Sequence, residues 1–191
     1  MERLGRDHFE NVYAQSEDPW SLRTSDYERE KYDRTLAALE RRYERALEIG
    51  CSIGVLTRRL AEHVGHVLAL DISERAVERA RETCGDRSNV TFMRCDVTRD
   101  YPAGRFDLVV LSEVAYYWSP EDFALTRERI ADSLDPDGDV LLVDFLPQGQ
   151  SAGWGGDAVH AAFLRDPRFR SVRGSRAERY RIDVVRVVAK A

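Results

Sequence analysis

The sequence predicts an α/β fold in which a mostly parallel sheet carries helices on both faces. From residue 45 onward, short apolar runs alternate with segments whose apolar residues recur at helical spacing, which is typical of βαβ units. A glycine-containing loop follows the first run. The last two runs, 169–174 and 180–188, are separated by a short polar turn and predict an antiparallel hairpin. We divide the chain into a helical cap or lid, 1–44, and one compact domain, 45–191.

Composition bounds the class of protein. The chain has 191 residues, of which 43% are hydrophobic and 33% charged, as expected for a soluble protein with a sizeable core. The net charge of −5 argues against a dedicated nucleic-acid binder, which would have a basic surface. No apolar stretch approaches the roughly 20 residues that span a bilayer, and the N-terminus shows no apolar signal region. We therefore expect a cytoplasmic monomer or homodimer without a nucleic-acid or membrane partner.

The cysteines and histidines predict no metal site. The three cysteines form no C-x-x-C pair, and the four histidines have no ligand spacing. Cys51 is expected to be a small buried side chain, with a reactive thiol as the alternative.

The N-terminal segment is charged and aromatic, and it predicts two helices without a strand. The first is short and lies around Phe9 and Tyr13. Ser25 is a plausible N-cap for the second, because Glu28 three residues later completes a capping box. Its apolar stripe is Tyr32, Leu36 and Leu39. Two roles stay open for this segment: an amphipathic cover for the sheet, or a lid that closes over a ligand.

The first βαβ unit ends in an acid. Ala46–Ile49 predicts a buried strand, and Gly50 and Gly54 bracket the loop after it, where glycine allows a positive φ and a close backbone approach. The next helix is predicted from helical spacing at Leu56, Leu60 and Val64. The second strand, His66–Leu70, ends at Asp71, where a carboxylate can accept two hydrogen bonds from a ribose diol.

Three kinds of site compete for this loop. A dinucleotide site needs G-x-G-x-x-G, but the three positions hold Gly50, Ser52 and Val55. A hydrolase elbow, G-x-S-x-G, matches literally, and Asp144 and His160 follow in the right chain order. That elbow needs several strands before it, whereas the preceding segment predicts helices. The third kind of site is one for S-adenosylmethionine (SAM).

The loop resembles the E/D-x-G-x-G-x-G motif of class I SAM-dependent methyltransferases, with Ser52 in place of the middle glycine. That family also expects an acid after the second strand, which Asp71 supplies. The N-terminal segment resembles the nodulation protein S (NodS) type of N-methyltransferase, which carries D-P-W and Y-E-x-x-K-Y segments, here 18–20 and 27–32. The match covers residues 9–54 best. The resemblance implies SAM as cofactor and an amine acceptor, with an amino sugar as the expected one.

The third strand contributes a further candidate. A helix over Glu74–Cys84, capped by Ser73, precedes a strand at Val90–Arg94. The resemblance gives Asp96, just past this strand, a contact with the adenine amino group, together with the backbone amide of Val97. A turn aspartate is the alternative.

The rest of the chain completes a seven-stranded, Rossmann-like sheet whose antiparallel pair comes last, an ending that resembles methyltransferases and not dehydrogenases. The fourth strand, Phe106–Ser112, is nearly all apolar, as a central parallel strand should be, and its tip at 112–118 is polar and aromatic. The later elements are a helix from Pro120 to about Leu134, a turn at 135–138, a strand at Val140–Phe145, a loop at 147–156 with Trp154, and a helix at 157–164.

The predicted site therefore has two parts. The candidates for accepting or orienting the amine proton are Glu113, Tyr117 and His160. Lys31, Tyr32 or Arg23 is expected to pair with the cofactor carboxylate or to close the lid. The predicted cofactor-binding residues are Gly50, Cys51, Ser52, Gly54, Asp71, Ile72, Asp96, Val97, Ser112, Trp20, Arg23, Lys31 and Tyr32.

Other functions remain open on the sequence. An O-methyltransferase would use the same cofactor on a different acceptor. A non-catalytic SAM-binding or sensor domain would bind the cofactor without turnover. An NAD-linked reductase would need the glycine fingerprint and a Tyr-x-x-x-Lys pair, which the sequence lacks.

Overall fold

The computed structural model describes residues 3–146 and 155–188. Six α-helices, one short 3-10 helix (Ala115–Tyr117) and seven strands lie in the described segments. The helices are α1 (Arg6–Gln15), α2 (Asp26–Ala37), α3 (Val55–Leu60), α4 (Glu74–Thr83), α5 (Pro120–Ser133) and α6 (Gly156–Leu164). The strands are β1 (Tyr43–Ile49), β2 (Val64–Asp71), β3 (Val90–Arg94), β4 (Phe106–Ser112), β5 (Leu134–Phe145), β6 (Phe169–Arg176) and β7 (Tyr180–Val187).

The strands form one sheet in the order β3-β2-β1-β4-β5-β7-β6. Strands β1 to β5 are parallel, and β7 pairs antiparallel with both β5 and β6. The strand order reverses between β1 and β4, so the loops after these two strands diverge and leave a crevice at the carboxyl edge. The prediction of a mostly parallel, Rossmann-like sheet with a closing antiparallel hairpin is confirmed.

Two apolar layers cover the sheet, one on each face. In β4, Leu108 and Val110 belong to the layer beneath α2 and α3, whereas Val109 and Leu111 belong to the layer beneath α5 and α6. All four side chains are at most 1% exposed. Burial on both faces explains why this strand is a continuous apolar run and not an alternating one.

Several predicted element boundaries were wrong. Val64 does not extend the helical stripe of α3. It begins β2, where it pairs with Tyr43 of β1, and α3 already ends at Leu60. The predicted turn at 135–138 lies within β5 as an irregularity in its pairing with β4, where Asp137 has a positive φ of 60°.

Both predicted N-terminal helices are present, and the second begins at its predicted cap. The Ser25 side chain accepts a hydrogen bond from the Glu28 amide and so caps α2. Tyr32 and Leu36 then pack into the layer on the sheet, which fits the cover role. The lid role stays a prediction. Of the predicted loop at 147–156, residues 147–154 lie outside the described residues. Within 3–146 and 155–188, no helix is long and apolar enough to cross a membrane.

Candidate functional site

A cavity of about 510 Å³ lies at the carboxyl edge of the sheet, where the strand order reverses. This volume is within the range of small-molecule sites. The ends of β1 to β4 form one side, and residues of α1, α2 and the segment between them form the other. The predicted site residues that line it are Trp20, Lys31, Tyr32, Gly50, Cys51, Ser52, Asp71, Ile72, Asp96, Val97, Ser112, Glu113 and Tyr117.

The loop after β1 has the backbone conformation that its sequence predicted. Gly50 has a φ of +82°, and a Cβ there would come within 3.1 Å of Val114. The Gly50 and Cys51 amides both donate to the Leu70 carbonyl at 2.8 Å. Ser52, which replaces the middle glycine, has a φ of 50°, so the loop keeps a left-handed residue at this position.

Asp71 ties the loop to the tip of β2. Its Oδ2 accepts from the Ser52 amide at 2.9 Å, and its Oδ1 accepts from the Ser73 amide at 2.9 Å. Burial raises the pKa of Asp71 to about 6, and these backbone donors oppose that rise. Each carboxylate oxygen has a second lone pair, so Asp71 can still accept a hydrogen bond from a ligand in the cavity.

Glu48 is a cavity-lining acid that the sequence prediction did not include among the site residues. It is 2% exposed, and its Oε2 has no hydrogen-bond partner within the described segments. Burial raises its pKa to about 7, and the neighbouring Thr57 hydroxyl opposes that rise. Such an oxygen is uncommon, because buried polar atoms normally have a partner. The signal in the sequence was its position as the acid that opens the glycine-loop motif.

Residues 3 and 4 line the end of the cavity near β3. Arg3 forms an ion pair with Asp96, and the Leu4 amide donates to the Tyr117 carbonyl at 3.1 Å. Although burial opposes it, hydrogen bonds from Arg3 and Thr98 lower the pKa of Asp96. Arg3 was missed because nothing in its local sequence distinguishes it from other arginines.

Lys31 joins α2 to the tip of β4. It is 2% exposed, and its Nζ lies 2.9 Å from Glu28 Oε2 and 2.7 Å from Glu113 Oε1. Burial lowers the pKa of Lys31, but Glu113 and Glu28 outweigh it and raise the pKa overall. Lys31 lines the cavity, yet its charge is already shared by two carboxylates, which fits a role in holding α2 over the site.

Glu113 stands at the centre of the polar tip after β4. Besides the contact with Lys31, its Oε2 accepts from the Tyr116 hydroxyl and the Phe145 amide, both at 2.8 Å. The residue has a φ of 57°, in the left-handed region. Its side chain is 25% exposed, so one side of the carboxylate faces the cavity. Tyr117 lies beside it, and burial raises the pKa of the Tyr117 hydroxyl.

Three predicted site residues lie elsewhere. Arg23 is exposed and donates to Thr83 at 3.2 Å. It lines a surface groove that adjoins the cavity. Gly54 is needed for packing, because a Cβ there would lie 2.9 Å from the Cα of Ala80 in α4. Neither residue lines the cavity, and we propose no cofactor contact for either.

The catalytic assignment of His160 was also wrong. The side chain is fully buried, with 0% exposure, because α6 packs on the sheet. Its Nδ1 lies 2.7 Å from Asp183 Oδ2, and its Nε2 lies 3.3 Å from Asp144 Oδ2. Burial disfavours the charged form, but the two carboxylates outweigh it and raise the pKa of His160. The pairing with Asp144 that suggested a hydrolase is therefore a core ion pair, away from the cavity.

Comparisons with known proteins identify the family. The family model described as "Nodulation protein S (NodS)" matches residues 7–155. The nodulation protein S of Bradyrhizobium diazoefficiens is 36% identical over 103 residues, which are 53% of this chain and 49% of that protein. Phosphoethanolamine N-methyltransferase 1 of Triticum aestivum is 30% identical over 154 residues, which are 77% of this chain and 30% of that protein.

A solved structure supports the fold. The N-methyltransferase NodS of Bradyrhizobium japonicum WM9, in complex with S-adenosyl-L-homocysteine (SAH), superimposes with a TM-score of 0.83 at 23% identity and covers 96% of this chain and 99% of that one. The chain spans about half the length of the curated nodulation protein S of Bradyrhizobium diazoefficiens. On the match over residues 7–155, the chain belongs to the nodulation protein S (NodS) family.

Proposed function

We propose that this protein is a SAM-dependent methyltransferase that methylates an amine of a small molecule. The observation that carries the proposal is the cavity at the switch point of the sheet, where the glycine loop after β1 and the Asp71 carboxylate after β2 line the same space. The related proteins support the same reaction class, since two of them are N-methyltransferases by name and one was solved with SAH.

The residues of the cavity fit SAM. Asp71, Asp96 and Val97 all line the cavity. This supports the proposal that Asp71 accepts hydrogen bonds from the ribose diol and that Asp96 and the Val97 amide recognise the adenine. The unpartnered Oε2 of buried Glu48 suits a cationic group, such as the ammonium of the amino-acid tail, because a charge partner would repay its burial. SAM would supply a methyl group already activated by its sulfonium sulfur.

The protein then has to orient the acceptor and keep water out. Glu113 is the proposed residue that accepts a hydrogen bond from the amine or takes its proton, because its carboxylate is held rigidly and partly faces the cavity. Tyr117 is the second candidate. Phe9, Tyr13 and Trp20 line the opposite side, so the N-terminal segment is proposed to act as a lid that excludes water from the reaction.

The acceptor is proposed to be an amine, with an amino sugar as the acceptor that the family membership suggests. The test is a methyl-transfer assay with SAM and paired amines and alcohols, in which SAH formation is measured. The proposal predicts turnover with amines and a loss of turnover in Glu113→Gln, with SAH affinity unchanged within about twofold. Binding of SAH without turnover on any acceptor would instead favour a sensor domain. Failure to bind SAH would overturn the proposal.

A further inference from the structure

Arg179 lies at the end of the cavity that is furthest from the glycine loop. It immediately precedes β7, and its carbonyl accepts a hydrogen bond from the Leu146 amide at 2.7 Å. Its guanidinium carbon lies 4.3 Å from the centre of the Tyr27 ring and 5.7 Å from that of Phe145. All three side chains line the cavity.

The guanidinium of Arg179 has no carboxylate partner within the described ranges. Its neighbours on the hairpin are paired: Arg176 and Arg181 both bind Asp157. The segment 147–154, which follows Phe145 and Leu146 in the chain, contains neither Asp nor Glu. The two aromatic rings support the planar group by cation–π contact while leaving its N–H donors without a carboxylate. Arg179 is exposed, but the ring contacts orient its guanidinium. An oriented arginine whose donors bind no carboxylate suits a bidentate oxyanion.

The sheet order places Arg179 on the acceptor side. Strands β4 and β5 lie between β1 and β7, which is three strand spacings, or about 14 Å. A cofactor tail lying against the loop after β1 is therefore remote from Arg179. Glu113, at the tip of β4, lies between the two ends, and its Oε2 binds the amide of Phe145, the residue whose ring Arg179 contacts.

The two cations at this end of the cavity, Lys31 and Arg179, differ in whether a carboxylate binds them. The positive charge of Lys31 is taken up by Glu28 and Glu113. Arg179 is the cation at this end that keeps free donors, among the residues that the structure describes. An acceptor with its amine at the Glu113 carboxylate and an anionic group at the Arg179 guanidinium would complement the charges of both residues.

We infer that Arg179 binds an oxyanion carried by the methyl acceptor, so that the substrate is an amine with a phosphate, sulfate or carboxylate group. This inference rests on the proposed methyltransferase function. It makes Arg179 a specificity-determining residue. It also narrows the proposed acceptor from any small amine to an amine that carries an anionic group.

The test compares acceptors that differ only by the anion. Glucosamine and glucosamine 6-phosphate form one pair, and ethanolamine and phosphoethanolamine form another. In the wild type, kcat/KM should favour the phosphorylated member of at least one pair by tenfold or more. Arg179→Gln should raise KM for that member by roughly ten- to a hundredfold, the loss expected for hydrogen bonds to a charged group. Its KM for the neutral member should not change.

Arg170→Gln is the matched control, because Arg170, like Arg179, is an exposed arginine. It lies on the edge strand β6 and does not line the cavity. This variant should keep the wild-type preference. A fifth acceptor, 3-aminopropanoate, distinguishes a carboxylate from a phosphate as the anion. A preference for it over ethanolamine that is lost in Arg179→Gln would support the inference equally.

Binding of SAH, measured by its shift of the melting temperature, is recorded for every variant, so that failure of the proposed function is seen separately. If the wild type binds SAH but uses neutral and anionic members equally, the inference is overturned. It is also overturned if Arg179→Gln keeps the preference, or if no anionic member reacts with, or binds to, the SAH-loaded protein.

Discussion

Replacement of Glu113 tests whether the polar tip of β4 is held together by the contacts described above. Three variants separate the contributions. Glu113→Gln removes the charge and keeps a hydrogen-bond acceptor. Glu113→Ala removes the acceptor and keeps a Cβ at a φ of 57°. Glu113→Gly also removes the acceptor, but relieves the left-handed backbone strain.

The expected loss of stability follows from the three donors from which Glu113 accepts hydrogen bonds. Removing one partner of a buried ion pair costs about 3–5 kcal/mol. In Glu113→Ala, Lys31 keeps its ion pair with Glu28, and the Glu113 side chain is already 25% exposed. We therefore expect this variant to lose about 3 kcal/mol of unfolding free energy, at the lower end of that range. For a chain of this size that is a fall in melting temperature of roughly 6–12 °C. Glu113→Gln should lose about 1 kcal/mol, the difference between a charge-assisted and a neutral hydrogen bond.

The comparison of Glu113→Ala with Glu113→Gly isolates the free-energy cost of the left-handed backbone conformation at this position. A left-handed conformation costs alanine about 1–2 kcal/mol, and glycine loses about 0.5–1 kcal/mol more chain entropy on folding. Glu113→Gly should therefore be more stable than Glu113→Ala by about 0.5–1 kcal/mol. Urea unfolding near neutral pH measures all three differences. An alanine variant as stable as the wild type, or more stable than the glycine variant, would refute the reasoning.

Two further predictions concern residues outside the cavity. Gly54→Ala should lose about 2–4 kcal/mol of unfolding free energy, because the new Cβ adopts a positive φ and is too close to Ala80. Gly5→Ala is its control, because the new Cβ there has open space around it. Equal losses for both variants would contradict the packing argument. The pKa of His160 is raised in the folded state, so its stabilising contribution is complete below the unfolded value of about 6.5 and is lost as the pH rises through the folded pKa. The stability advantage of the wild type over His160→Gln should therefore shrink at alkaline pH, and an advantage that grows with pH in urea titrations would disprove the charged pairing with Asp183.

The sheet could be predicted from local patterns. The apolar run of β4 and the Ser25 cap of α2 are signals that lie within a few residues, and the structure has both where they were expected. The end of α3 could not be predicted in this way. Leu56, Leu60 and Val64 are spaced like one helical face, and only the pairing of Val64 with Tyr43 shows that the third belongs to a strand.

The residues at the strand ends that line the cavity were predicted from the sequence. The ion pairs between distant parts of the chain were not. Arg3 and Asp96 are 93 residues apart, and Lys31 and Glu113 are 82 residues apart. No local pattern specifies such contacts, because they depend on how the N-terminal helices pack on the sheet. His160 shows the reverse error: chain order matched a catalytic motif, but burial in α6 gave the residue a place in the core.

The central claim is that residues 50–52 of the glycine loop and the carboxylate of Asp71 form the binding site for SAM. A crystal structure of the protein with SAH tests it most directly. We expect the ribose hydroxyls within hydrogen-bond distance of Asp71 and the amino-acid tail against the backbone of Gly50 and Ser52. An SAH molecule bound elsewhere, or bound here with its ribose turned away from Asp71, would contradict it.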